Sequence, residues 1–323
     1  MKPTIKDVAK KANVSVSTVS RVINQKGYVH EETKKLVLDT IDELGFVPNQ
    51  LARSLSSRLS KIIAVITPHI GPFFYGELLE SIEFQAQSHG YKIMFFNVQD
   101  DLERELEYLN FFDQYNIEGI IIASNFKNID KLDQIKVPII TIDHILDENI
   151  PSITSNNIKG GELAISHLLE SGATNIALFR GPSFLITTTE RTLGANNILN
   201  KNKIIPNIFD FDLVKPDETL IKEILVNNPT IDGIFAYSDT LALVIISVLE
   251  KLGKKVPDDV KVIGYDDAPF CEWVRPSLTS ISQAVNILGM KAFINLIKLI
   301  KGVELNPLHE EIDVKLIKRD STK

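Results

Sequence analysis

Val16, Ser17, Ser20 and Arg21 fall on one face of a short amphipathic segment whose opposite face is apolar. Small side chains with one Arg make a surface that can approach the floor of a DNA major groove. There, short side chains meet thymine methyls and base edges, and an Arg donates two hydrogen bonds to guanine. A second set is spread along the chain, most of its members just after apolar runs: Phe73 and Phe74, Asp143 and His144, Ser238 and Asp239, Asp266 and Asp267. Arg191 follows Gly181-Pro182, and Gln283 comes late. Carboxylates accept from adjacent sugar hydroxyls, Arg and Gln donate or bridge, and Phe offers a flat face to the C–H side of a sugar ring. Taken singly, each has an ordinary reading: a Phe pair in a core, an Asp as turn former or helix cap (the role expected of Asp239), an Arg in a surface ion pair.

The first set requires a tight helical pair to present it. Thr4 followed three residues later by Asp7 is a helix-start signal, in which hydroxyl and carboxylate each cover a first-turn amide. A second start stands at Ser15, and Ala12-Asn13-Val14 is too short for a loop, so two helices meet at a turn with Asn13 left-handed. Val8, Ala9, Ala12, Val14, Val19, Val22 and Ile23 supply the hidden faces, and a third helix over 32–44, with a stripe of Leu36, Val37, Ile41 and Leu44, closes the core before Gly45. Pro48 marks a boundary, and the serine-rich stretch 49–60 reads as a hinge of weak intrinsic stability.

The second set requires parallel strands. Apolar runs at 62–66, 93–96, 117–123 and 137–142 alternate with helical patterns near 77–88, 102–115 and 129–134. The alternation restarts with runs at 176–179, 233–236 and 260–264 and helices near 161–171, 190–200, 218–226 and 240–252. Short all-apolar strands between helices predict parallel sheets covered on both faces, and two such sets predict two α/β lobes. Ligands in such sheets sit beyond the carboxyl ends of the strands, where the second set lies. A late helix at 285–300 and a strand-like tail at 311–318 follow, and Trp273 is open to two places, the border of the cleft or, the expected one, a buried packing role.

At 323 residues the chain is long enough for two or three domains. Its net charge of −7 is uneven: residues 1–60 hold ten Lys and Arg against six Asp and Glu, the remainder 25 against 36. A basic head on an acidic body concentrates phosphate-seeking charge in one place, and the surplus is small enough that one head alone should bind weakly. The start has no apolar signal-peptide core and no run reaches membrane-span length, so a cytoplasmic protein without membrane contact is expected. The single cysteine, Cys271, excludes an internal disulfide and reads as a small buried side chain. The patterns G-x-x-x-x-G-K-[ST], G-x-S-x-G and H-E-x-x-H are absent, as are clustered His or Cys, so neither an enzyme nor a cofactor or metal is expected.

The segment TIKDVAKKANVSVSTVSRVIN, residues 4–24, and the stretch 27–55 after it resemble the lactose repressor family of bacterial transcription regulators. The resemblance implies a helix-turn-helix head (1–47) and a hinge helix (48–60), then a body (61–323) folded like periplasmic sugar-binding proteins. The body's first lobe would hold about 61–157 and 283–310, its second about 158–282 and 311–323. It implies DNA contacts from Thr4, Ser15, Val16, Ser17, Thr18, Ser20, Arg21, Asn24 and Tyr28. Asn49, Ala52 and Arg53 of the hinge would add to these, with Leu55 as a lever wedged between base pairs at a cost in unstacking. It also implies a homodimer on a near-palindromic operator and a small sugar or sugar phosphate bound between lobes by Phe73, Phe74, Asp143, His144, Arg191, Ser238, Asp266 and Gln283.

The segments GYVHEET, GPFFYG, LFRGP and VIGYDDAPF resemble the ribose-type repressors of this family. Gly71 and Ser238 stand where those usually carry Asn, and His144 where they carry Arg, so a sucrose or other sugar repressor, or a catabolite regulator using a phosphocarrier protein, stays open. Where relatives often have Ser or Thr to cap the third helix, this chain has His30. The lack of a leucine heptad after the body leads to the expectation of dimers rather than tetramers.

Overall fold

The structure is a computed structural model, and it describes residues 3–24, 27–46, 60–99, 101–124, 132 and 135–323. The chain forms two compact units, residues 1–60 and 61–323.

In the first unit α1 (Ile5–Lys11), α2 (Val16–Asn24) and α3 (Glu31–Leu44) enclose Val8, Ala9, Ala12, Val19, Val22 and Val37. The turn between α1 and α2 holds Asn13 at φ 51°, the left-handed conformation its short polar side chain tolerates. At the start of α1 the Asp7 carboxylate accepts from both the Thr4 amide (2.8 Å) and the Thr4 hydroxyl (2.7 Å), within the capping box that the Thr4 and Asp7 spacing predicts. Gly45, at φ 58°, ends α3, and His30 gives α3 no side-chain cap. The stripe on α3 differs from expectation by one member. Leu36 is half exposed, and the fourth inward residue is Thr40, which tolerates burial because its hydroxyl donates 2.7 Å to the Leu36 carbonyl.

The second unit contains two six-stranded sheets, each mostly parallel with helices on both faces, the α/β class expected. The first has the order β11-β5-β4-β3-β1-β2, with β1 (Ile62–Thr67), β2 (Lys92–Asn97), β3 (Gly119–Ile122), β4 (Ile139–Ile142), β5 (Ser152–Ser155) and β11 (His309–Ile312). The second has the order β12-β10-β9-β8-β6-β7, with β6 (Ile176–Arg180), β7 (Asn207–Asp210), β8 (Gly233–Ala236), β9 (Lys261–Asp266), β10 (Thr279–Ser282) and β12 (Lys315–Ile317). Only the β10–β12 pairing is antiparallel among the described strands. The tail expected as one strand over 311–318 is two, β11 in the first sheet and β12 in the second, so the last crossing between sheets falls at residues 313–314, inside that tail.

Six helices position the loops at the strands' carboxyl ends. They are α4 (Phe73–Ser88), α5 (Leu102–Gln114), α6 (Asn157–Glu170), α7 (Ile186–Lys201), α8 (Glu218–Asn227) and α9 (Asp239–Lys251). The late helix α10 (Val285–Ile300) returns to the first sheet, where Leu288, Ala292, Phe293 and Leu296 pack with Leu78 and Ile82 of α4. Of the helix expected at 129–134 only Leu132 lies within the described residues. Helix α7 starts a turn earlier than its periodicity suggests, so Arg191 sits in its second turn rather than at its beginning. Among the described residues no helix is long and apolar enough to cross a membrane.

Candidate effector cavity and nucleic-acid interface

The second unit holds a cavity of about 410 Å3 at the carboxyl ends of strands from both sheets, within the size range of small-ligand sites. All eight residues expected around a ligand line it: Phe73 and Phe74 after β1, Asp143 and His144 after β4, Arg191 on α7, Ser238 after β8, Asp266 at the end of β9, and Gln283 after β10. Phe74 is buried and belongs also to the core under α4. Phe73 is half exposed and reaches across to Phe270 of the second lobe, edge to face with ring centres 5.0 Å apart.

Arg191 is the centre of the polar wall. It is 5% exposed, its Nε donates to Asn157 Oδ1 (2.9 Å), its Nη1 donates to the Tyr237 carbonyl (2.8 Å), and its guanidinium carbon lies 3.6 Å from the centre of the Tyr265 ring. Tyr265 in turn donates to Asn157 Oδ1 at 3.1 Å. The Thr192 hydroxyl spends its one proton on the Thr188 carbonyl, so at 2.9 Å it is Tyr237 that donates to Thr192. Burial works against the charge on Arg191, but Tyr265, Asp266 and Asp143 outweigh it and hold its pKa above the ordinary value.

Two carboxylates face this one cation. Asp143, at φ 72°, and Asp266, at φ 109°, occupy backbone conformations rare for residues with a side chain, a form of strain that clusters at functional sites. Burial pushes both pKa values up to about 7 and Arg191 pulls both down, while Asp266 raises Asp143 and Asp239 raises Asp266. Gln283 Nε2 donates 2.6 Å to Asp266 Oδ1. His144 is held down at about 4 by burial, so its ring is neutral at pH 7.

The sequence missed several members of the site. Asp212 and Leu213, after β7, also line the cavity, and Asn157 positions Arg191 from just after β5. Asp239 is not the cap of α9. Ser238 takes that role, accepting from the Leu241 amide at 3.2 Å, and Asp239 is buried, accepting from Ser280 Oγ (2.6 Å) and the Ala268 amide (2.7 Å). Trp273 is neither buried nor part of the cavity; it is 71% exposed in the loop after the short 3-10 turn Pro269–Glu272.

These buried groups set a pH dependence of stability. Asp143, Asp239 and Asp266 titrate at about 7 in the folded chain against an ordinary 3.8, so each binds its proton more tightly when folded. Their contribution is fully present below pH 3.8 and is lost as pH rises towards 7. His144, at about 4 against 6.5, acts in the opposite sense over the same window but is outnumbered. Asp7 and Asp320, held low by hydrogen bonds, act only below about pH 4. The thermal midpoint of the second unit is therefore expected to fall between pH 5 and pH 8 in a calorimetric series. A rise over that interval would contradict the burial of these carboxyls.

On the first unit, α2 presents Val16, Ser17 and Arg21 outward, and Tyr28 after it is 86% exposed. Ser15 Oγ accepts from the Thr18 amide at 3.1 Å and lies within hydrogen-bond reach of the Ser17 and Thr18 hydroxyls, while Asn24 Nδ2 donates 3.1 Å to Ser20, leaving Ser20 half-buried. Thr4 sits at the start of α1. The hinge residues Asn49, Ala52, Arg53 and Leu55 lie outside the described residues.

Residues 4–49 match the bacterial regulatory proteins of the lacI family, and residues 165–322 match a periplasmic binding protein-like domain. The chain is 36% identical to the ribose operon repressor of Halalkalibacterium halodurans over 321 residues, covering 99% of this chain and 97% of the relative. The chain belongs to the lacI family. Within it, the ribose operon repressor of Bacillus subtilis is 35% identical over 99% of this chain and 98% of its own. The lac repressor dimer bound to operator and the anti-inducer ONPF superposes with a TM-score of 0.91 at 26% identity, covering 100% of this chain and 99% of that one. The lacI family is a family of regulators, and the helix-turn-helix head read from Thr4 to Asn24 is its family domain.

Proposed function

We propose that this lacI-family chain is a homodimeric repressor of a sugar-utilisation operon, with a DNA-binding head to residue 47, a hinge over 48–60 and an effector-binding and dimerising body from residue 61. Two heads grip the half-sites of a near-palindromic operator. A small sugar in the body, ribose first among the choices, releases the DNA. One observation carries this reading: the cavity takes its lining from strand ends of both sheets, so a ligand there responds to how the lobes are set. A ligand that prefers one setting must change DNA affinity by the same coupling free energy that DNA exerts on the ligand. The names of the two relatives at 35% and 36% identity support ribose. The protein acts by binding, without turnover or cofactor, in the cytoplasm where the DNA is.

The reading is tested by selecting a duplex from a random pool with the full chain, then titrating D-ribose and other sugars into the complex in a mobility-shift assay. A near-palindromic preference and release by a sugar are expected; indifference to sequence at physiological ionic strength overturns it. Within this reading Arg21 is the base reader. Arg21→Ala is expected to weaken the selected duplex by about 1 to 3 kcal/mol, the worth of a bidentate base contact, and to relax one position of the motif. Equal weakening on every duplex would make Arg21 a phosphate contact instead.

A further inference from the structure

The cavity wall is rich in groups that accept hydrogen bonds. His144, buried after β4, places Nδ1 3.0 Å from the Ile142 carbonyl oxygen, and its own carbonyl is held by the Thr141 hydroxyl at 2.7 Å. A carbonyl oxygen only accepts, so the imidazole proton is on Nδ1 and Nε2 is left as a lone-pair acceptor. That nitrogen is buried and has no hydrogen-bond partner in the protein, and the same is true of Asp143 Oδ1 beside it and of Gln283 Oε1. The Gln283 amide is oriented by its donation to Asp266, which leaves the oxygen for the cavity. Buried polar atoms without partners are rare and costly, and these three share one cavity lining and one chemistry. The acidic groups run the same way: Asp143, Asp212 and Asp266 line the cavity beside the single guanidinium of Arg191, two of whose nitrogens already donate to Asn157 and Tyr237.

We infer that the cavity selects a neutral polyhydroxyl ligand whose hydroxyls donate to His144 Nε2, Asp143 Oδ1 and Gln283 Oε1, that it rejects phosphorylated and carboxylated sugars, and that His144 sets this selectivity. The inference rests on the sugar-effector reading above and narrows it. A phosphate dianion brings acceptors alone and would face carboxylates and lone pairs with one shared Arg to balance them. A hydroxyl brings one donor and two lone pairs, so it can donate to His144 and accept from Arg191 at once.

The test is isothermal titration calorimetry of the full chain with D-ribose, D-glucose and sucrose, and with ribose 5-phosphate, glucose 6-phosphate and sucrose 6-phosphate. At least one neutral sugar is expected to bind, with its phosphate ester weaker by about 100-fold or more. His144→Phe, which keeps an aromatic ring without the acceptor, should weaken that sugar roughly 10- to 100-fold. His144→Gln, which can bring an oxygen acceptor back, should recover most of the loss, a rescue that a merely structural role for His144 would not give. Thermal melts of both variants establish that they fold, and the comparison of each sugar with its ester stands on the unaltered chain whatever the variants do. A phosphate ester binding as tightly as its parent sugar, or wild-type affinity in a folded His144→Phe, overturns the inference and leaves the sugar-effector reading standing. Failure of all six to bind overturns both.

Discussion

Gly194→Ala is expected to destabilise the second unit by about 3 kcal/mol or more, at the upper end of what overpacking a core costs, and to loosen Arg191 with it. Helices α6 and α7 pack closely through Gly161 and Gly194. A Cβ built on Gly194 would stand only 1.9 Å from the Ile158 carbonyl oxygen and 2.8 Å from the Ile158 carbonyl carbon, and one on Gly161 only 2.2 Å from the Arg191 carbonyl oxygen. These are backbone atoms within helices and cannot rotate aside, so the helices must separate. The separation pulls Asn157, at the start of α6, away from the Arg191 side chain it holds at 2.9 Å from α7. Stability and ligand affinity should therefore fall together. Gly76 is the internal comparison: it lies within α4 with nothing inside 4 Å of its missing Cβ, so Gly76→Ala should gain up to about 1 kcal/mol. Chemical denaturation of the three proteins checks the pair, and a Gly194→Ala variant as stable as wild type would show that the helices are not clamped as the structure places them.

Neither glycine stands out in the sequence, because nothing in a helix pattern says which residue touches another backbone. What was legible followed from pattern. Strands buried on both faces, such as β1 and β3, announce themselves as apolar runs, and the residues just after them lead directly to the cavity lining. Strand β7 (NIFD) did not, because a four-residue edge strand with alternate residues exposed gives no apolar run, and β5 (SITS) and β10 (TSIS) did not, because Ser and Thr make up most of them. Their hydroxyls are satisfied at long range, Ser152 with His309, Ser280 with Asp239 and Thr279 with Thr322, which no local pattern reports. Missing β5 and β7 meant missing Asn157 and the Asp212–Leu213 loop. Trp273 was misjudged because size suggests burial, while its loop leaves the ring outside. Asp239 was misjudged because two adjacent residues suited the cap of α9, and Ser238 took it, freeing the carboxylate to tie β10 and Ala268 to the helix.

Asp266→Asn is expected to abolish the response to sugar while making the second unit more stable above neutral pH. The carboxylate is buried at the end of β9, fixed by Gln283 at 2.6 Å and facing Arg191, in the position to accept from two neighbouring hydroxyls of a ring. An amide offers one acceptor and a misplaced donor, and hydrogen bonds to a charged group are worth about 1.5 to 3 kcal/mol each, so the sugar should bind roughly 100-fold more weakly or not detectably. In a mobility-shift titration the complex with DNA should then persist at sugar concentrations that dissolve the wild-type complex. The stability change has the opposite sign. With a folded pKa of about 7 against an ordinary 3.8, the ionised carboxyl weighs against the fold as pH rises through this interval, and above pH 7 the burden is on the order of a few kcal/mol. The amide carries no such burden, so the melting temperature of Asp266→Asn should exceed that of wild type at pH 8 and converge with it near pH 5. A variant that still responds to sugar removes Asp266 from the site. One that loses the response together with stability at pH 8 places the carboxylate among the supports of the fold instead, because a group retained for binding at the expense of stability must release that stability when it is neutralised.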